Sequence, residues 1–152
     1  MSEFDPTVAH TPSWYSRLLV GMQILSAAAL VLSVRSLAPF PMLAMAFGAS
    51  LGMWAVLTIG LTRVSLHPEV RARAVLITVG PYRLIRHPMY TALLLFCAGF
   101  VFSPYRLWKL GAWLLLLLIL YAKTRIEERQ LLARFPDYAH YAQRSWRFLP
   151  WI

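Results

Sequence analysis

Gly80-Pro81-Tyr82-Arg83-Leu84-Ile85-Arg86-His87-Pro88-Met89-Tyr90 is a dense polar and aromatic stretch set directly against an apolar run. About forty residues further on, a second cluster, Arg125-Ile126-Glu127-Glu128, stands at the end of another apolar run. Two charged clusters at the open end of one helical hairpin share a membrane edge. A hairpin is thus the simplest way for a short chain to build a polar site beside lipid.

The whole chain supports a membrane setting. It has 152 residues, enough for one domain, here taken as residues 1–152. Hydrophobic residues make up 59% and charged residues 14%, against roughly 45–50% and 25% in soluble domains. Mean hydropathy is +0.58. A soluble domain of this size cannot hide so much apolar surface, so the bilayer is the expected solvent. The formal charge of +9 raises the question of nucleic acid. The arginines flank apolar spans instead of forming one basic face, so no nucleic-acid partner is expected. Cationic loops beside a membrane are the plainer explanation. The single cysteine, Cys97, sits in an apolar run and permits no intrachain disulfide. Glu3 and Asp5 occupy the place of a basic n-region, so the N-terminus does not read as a cleaved signal peptide.

Four apolar spans are expected, at about 18–37, 40–61, 88–103 and 107–122. A straight spanning helix needs roughly 20 residues. The first two spans meet that length. The third and fourth are shorter and read as an antiparallel hairpin around Ser103-Pro104-Tyr105-Arg106. Residues 124–135 hold strong helix formers and should carry the fourth helix into water until Pro136. A short helix with Tyr138 and Tyr141 should follow. Residues 69–76 could form one or two interfacial helical turns. The fold class is therefore an all-α integral membrane protein with about four transmembrane helices and a cytoplasmic helical tail.

Charge sets the expected orientation. Arg63, Arg71, Arg73, Arg83 and Arg86 lie in the loop between the second and third spans. Lys123, Arg125, Arg129, Arg134, Arg144 and Arg147 lie in the tail, while the other side holds Arg35, Arg106 and Lys109. The positive-inside rule puts both termini and both polar clusters in the cytoplasm, with a bacterial or archaeal plasma membrane as the expected setting. In the second span, Ala44, Gly48 and Gly52 recur every four residues. Such small residues let helix backbones approach, either within the chain or in a homo-oligomer through the Gly48/Gly52 face.

No Rossmann or P-loop glycine pattern is present, and no serine sits in a nucleophile elbow. His10, His67, His87 and His140 lack metal-ligand spacing, so no metal is expected. Arg86-His87-Pro88 is more telling. Pro88 suits a first helical turn, which leaves His87 at the N-cap beside unpaired backbone donors able to hold an anion. Arg86 can grip a carboxylate in a forked geometry. The same two residues also fit plain interface markers. Glu127 and Glu128 point about 100° apart on a helix, so at most one is expected to face inward. A solvated charged helix, with Arg125 and Arg129 pairing locally, is the ordinary alternative. Tyr82, Tyr90, Tyr138 and Tyr141 also fit interface-belt anchors.

With these residues the chain resembles the isoprenylcysteine carboxyl methyltransferase family and the related membrane phospholipid methyltransferases. That family shows a Gly-x-Tyr turn, then Arg-His-Pro-x-Tyr-x-Gly, a transmembrane hairpin and a Glu-Glu pair. Here these stand as Gly80-Pro81-Tyr82, Arg86-His87-Pro88-Met89-Tyr90-Thr91-Ala92 and Glu127-Glu128. The tail Tyr138-Ala139-His140-Tyr141-Ala142-Gln143-Arg144, ending Leu149-Pro150-Trp151-Ile152, is similar too. The likeness covers about residues 76–152. Ala92 stands where the pattern has glycine, and its methyl narrows either a cofactor contact or a helix contact.

The resemblance implies S-adenosylmethionine as methyl donor, bound without a Rossmann fold, and an acceptor that enters from lipid. It implies a cofactor site of Tyr82, His87 and Tyr90, extended by Gly80, Arg86, Pro88, Tyr138 and Tyr141. It puts Arg125 and Glu128 near the transferring methyl, so that with the angular offset Glu128 is expected to face the hairpin mouth and Glu127, the secondary partner, to turn toward solvent or Arg125. Carboxylate and aromatic faces suit a cationic sulfonium. Arg86 or helix N-terminal donors suit the donor's own carboxylate. The expected partners are membrane lipids and a hydrophobic methyl acceptor, with a carboxylate favoured. Two other classes fit the same sequence: an NADPH-dependent sterol-reductase-like enzyme, and a non-catalytic membrane scaffold.

Overall fold

The computed structural model describes residues 13–34, 39–60 and 75–148. Arg35, Arg63, Arg71, Arg73, His10, His67 and the terminal 149–152 segment lie outside the described residues, as does most of the segment read as interfacial helix. Its described end, 75–76, is not helical.

Among the described residues, five α-helices form in order: α1 (Trp14–Leu32), α2 (Pro39–Ile59), α3 (Pro88–Val101), α4 (Leu107–Arg134) and α5 (Tyr138–Gln143). Helices α1, α2 and α4 are long and apolar enough to cross a membrane. Helix α3, with 14 residues, rises only about 21 Å, less than the roughly 30 Å of hydrocarbon. Leu25, Leu43, Leu57 and Leu118 are each about two-thirds exposed or more, which suits a lipid-facing surface. The chain is an all-α membrane protein.

The helix boundaries have local causes. Ser13 caps α1 by accepting from the Ser16 backbone N–H at 3.2 Å. Gly60, at φ +88°, ends α2 in the left-handed conformation that glycine tolerates. Pro88 opens α3 with His87 as N-cap. The buried ammonium of Lys109 donates to the carbonyls of Phe100 (3.3 Å) and Ser103 (3.0 Å), so a cation closes the C-terminal end of α3.

The third and fourth spans do form a hairpin, but α3 packs chiefly along α2 and α1 along α4. Glycine explains the first pairing. A Cβ on Gly48 would lie 2.6 Å from the Phe96 backbone nitrogen, and one on Gly52 would lie 3.3 Å from the Ala92 methyl. The Gly48/Gly52 face is thus occupied by α3, so of the two expected uses it is the one within the chain, and not the surface between chains, that these glycines serve. Ala92, the departure from the family pattern, lies at this helix contact. Between the helices sits a core of Leu30, Leu94, Cys97, Phe100, Val101, Leu116, Leu120 and Phe148. Helix α4 has 28 residues, about 42 Å, and so carries its last turns beyond the hydrocarbon.

Candidate functional site

The site forms where three segments meet: the residues leading into α3, the far end of α4, and the tail after α5. A 3-10 turn, Gly80–Arg83, starts the first segment. Gly80 has φ +60°, and a Cβ there would lie 2.8 Å from the Thr58 hydroxyl oxygen. Its role is therefore to bring this turn against α2. The tail then docks alongside. Arg86 N–H donates to the Trp146 carbonyl at 2.7 Å, Trp146 N–H to Leu84 at 2.9 Å, and His87 N–H to Arg147 at 3.2 Å. Thr91 Oγ1 donates to the Phe148 carbonyl at 2.8 Å, and the Tyr141 hydroxyl to the Tyr82 carbonyl at 2.6 Å.

Glu128 is the centre of the ionic network. Its Oε1 accepts from Arg86 Nε at 2.9 Å and Arg147 Nε at 3.2 Å, and its Oε2 lies 2.5 Å from Arg147 Nη2. Arg86 Nη1 donates to the carbonyls of Ala142 (2.7 Å) and Ser145. These donors of Arg86 therefore tie the tail to α4, where the sequence suggested a grip on a ligand carboxylate.

His87 is buried between the two glutamates. Nδ1 lies 3.2 Å from Glu127 Oε2 and Nε2 lies 3.4 Å from Glu128 Oε1. The second approach lacks hydrogen-bond geometry and leaves Nε2 without a hydrogen-bond partner. Burial opposes a charged imidazole, but the two facing carboxylates outweigh it and raise the His87 pKa above its ordinary value. The Tyr90 hydroxyl donates to Glu127 Oε1, and the Tyr90 ring stacks on His87 at 5.6 Å. Glu127 is thus held inward by His87 and Tyr90, a correction to its expected turn toward solvent. His87 is wide enough to touch adjacent carboxylates despite their angular offset.

A cavity of about 200 Å³ opens beside this network. Its polar wall is Tyr82, Arg86, His87, Tyr90, Glu127, Tyr138 and Tyr141, and its apolar wall includes Ile59, Leu76, Pro88, Met89 and Leu131. Glu127 lines it, whereas Glu128 stands behind, bound by its two arginines. The hydroxyl of Tyr138 is buried without a hydrogen-bond partner. Burial, the largest influence, keeps Tyr82 and Tyr138 protonated far above the usual phenol range. Tyr138 therefore keeps an unused donor, enclosed behind the cavity lining.

Of the residues singled out in the sequence, Arg125 does not join the cluster. It lies on the exposed stripe Leu118, Tyr121, Arg125, Arg129, Leu132 of α4, while Thr124 and Glu128 form the buried stripe. Sequence reading missed Arg147, which carries no signal to set it apart from the other tail arginines. It also missed Lys123 and Gln23, described below.

Residues 37–137 match the phospholipid methyltransferase family profile, about two-thirds of the chain. The chain belongs to the phospholipid methyltransferase family. A family of membrane methyltransferases agrees with the helices and with the enclosed acid, imidazole and phenol groups. The chain is also 36% identical over 104 residues to the cobalt-zinc-cadmium resistance protein CzcN of Cupriavidus metallidurans. That match covers 66% of this chain and 48% of CzcN, so the chain spans about half the length of this relative. No solved structure matches the chain. Among the described residues, no group of three or more His, Cys, Asp or Glu side chains is placed to hold a metal ion.

Proposed function

We propose that this chain transfers a methyl group from S-adenosylmethionine to a lipid-like or small hydrophobic acceptor at the membrane interface. The observation that carries this reading is the cavity wall, where Glu127, His87 and four tyrosines line one space. S-adenosylmethionine supplies a methyl group on a cationic sulfonium. Glu127 and the aromatic faces attract that cation. The cavity is smaller than the 300–1,000 Å³ usual for larger ligands, so its open side leads the remainder of a nucleoside outward.

The arrangement favours a carboxylate acceptor. Glu128 is held by two guanidinium groups, and the two facing carboxylates favour the protonated form of His87. Neither is set up as a general base. A carboxylate is already ionised near neutral pH and needs none, whereas an amine must lose a proton. Positioning then supplies most of the rate gain. Membrane lipids form one wall of the acceptor's route, and both termini face the cytoplasm of a bacterial or archaeal cell in this reading.

The test uses the purified chain in vesicles with methyl-labelled S-adenosylmethionine, offered a fatty-acid amphiphile or an amine-headed phospholipid. Label expected on the fatty acid should be released by alkali as methanol. Alkali-stable label on the amine lipid would overturn the carboxylate assignment. No transfer to any membrane component, together with no donor binding, would overturn the whole reading.

A further inference from the structure

Helix α1 lies before the residues that match the family, yet it reaches the site. Its buried face is Ser16, Leu19, Gln23, Ser26 and Leu30. On the opposing face of α4, Lys123 is fully buried, and its ammonium donates to Gln23 Oε1 at 2.6 Å. The same ammonium lies 5.1 Å from the centre of the Tyr90 ring. Tyr90 in turn stacks on His87 and donates its hydroxyl to Glu127. A continuous path of contacts therefore runs from α1 to the carboxylate on the cavity wall.

A buried ammonium is costly unless it is partnered, and an aromatic face attracts it more strongly where water is excluded. The Gln23 oxygen fixes one side of Lys123. The ammonium then favours the Tyr90 ring orientation whose hydroxyl meets Glu127. We propose that Gln23 and Lys123 are positioning residues for the reaction, setting Tyr90 and through it Glu127. This rests on the cavity being the donor site, but the contact path can be tested without any ligand.

The test uses the full chain labelled with 3-fluorotyrosine, with the Tyr90 resonance assigned from Tyr90→Phe. Gln23→Leu alone removes this acceptor from a buried ammonium and is expected to destabilise the fold, so it is not the variant used. The double variant Gln23→Leu/Lys123→Met replaces the polar pair by apolar groups of similar size and should keep the melting temperature near that of the unaltered chain. We expect it to shift the Tyr90 fluorine resonance and to weaken S-adenosylhomocysteine binding by about tenfold, as loss of a desolvated cation–ring contact implies. Lys123→Arg should restore most of the affinity. A double variant with an unmoved resonance and unchanged affinity would reduce the pair to a structural contact and overturn the proposal. If the unaltered chain binds no S-adenosylhomocysteine, the donor reading fails, while a shifted Tyr90 resonance still upholds the coupling and an unmoved one rejects it.

Discussion

Arg147 grips Glu128 with two nitrogens, Nη2 at 2.5 Å and Nε at 3.2 Å, from nineteen residues further along the chain. Arg86 meets the same carboxylate from the other direction, at 2.9 Å. Glu128 thereby fastens three separate segments into one site. Its neighbour Glu127 is left to face the cavity.

Arg147→Lys should expose the value of the fork. Lysine keeps the charge but cannot make two parallel bonds to one carboxylate. Denaturant titration in detergent should show a loss of about 1.5–3 kcal/mol, the range for hydrogen bonds to charged groups. The tail should also become more open to proteolysis near Arg144. An unchanged midpoint and unchanged proteolysis would mean that the tail is held by its backbone contacts alone.

The pH dependence follows from His87. Its pKa is raised in the folded chain, so its protonated form contributes stability that is complete below about pH 6.5, the ordinary histidine value. That contribution is lost as pH rises through the higher folded value. The melting temperature should therefore fall above about pH 6.5, and His87→Gln should remove this dependence. A melting temperature that rises over the same window in the unaltered chain would contradict an imidazolium between Glu127 and Glu128.

Gly48→Ala should cost about 1–3 kcal/mol, because the new methyl meets the Phe96 backbone and not a side chain that can move. Gly21→Ala is the control. No neighbouring atom lies within 4 Å of its Cβ position, so it should be neutral or more stable by about 1 kcal/mol. Equal stabilities for the two variants would contradict the close approach of α2 and α3.

Much of this arrangement is legible in sequence, and the exceptions have physical causes. Pro88 announces the start of α3 and makes His87 its cap. Gly48 and Gly52 announce close packing, but not whether the partner helix belongs to the same chain. Glu127 and Glu128 are marked by charge at the end of an apolar run. Their division of labour depends on which arginines arrive from elsewhere. Arg147 sits among many tail cations, and its use depends on a strand-like pairing of Trp146 with Ile85 that no local pattern reveals. Lys123 reads as an interface marker because it ends an apolar run. Its burial depends on Gln23, a hundred residues away. The family resemblance puts Arg125 in the site, yet the helical angle turns it outward.

Membrane topology can be checked by single-cysteine labelling. Arg129 and Tyr105 are both exposed and lie toward opposite ends of α4. Arg129→Cys should label from the cytoplasmic side and Tyr105→Cys from the other, in a chain with Cys97 replaced by alanine. Labelling of both from one side would contradict a spanning α4.

Calorimetric titration of the detergent-purified chain with S-adenosylhomocysteine, beside NADPH, bears most directly on the cavity as a methyl-donor site. S-adenosylhomocysteine should bind and raise the melting temperature, as a ligand of the folded state must. NADPH should do neither. Glu127→Gln should bind S-adenosylmethionine at least about tenfold more weakly, through loss of a carboxylate facing the sulfonium, with a smaller effect on the uncharged thioether of S-adenosylhomocysteine. Binding of NADPH without S-adenosylhomocysteine, or equal binding of both methionine-derived ligands by Glu127→Gln and the unaltered chain, would contradict the assignment.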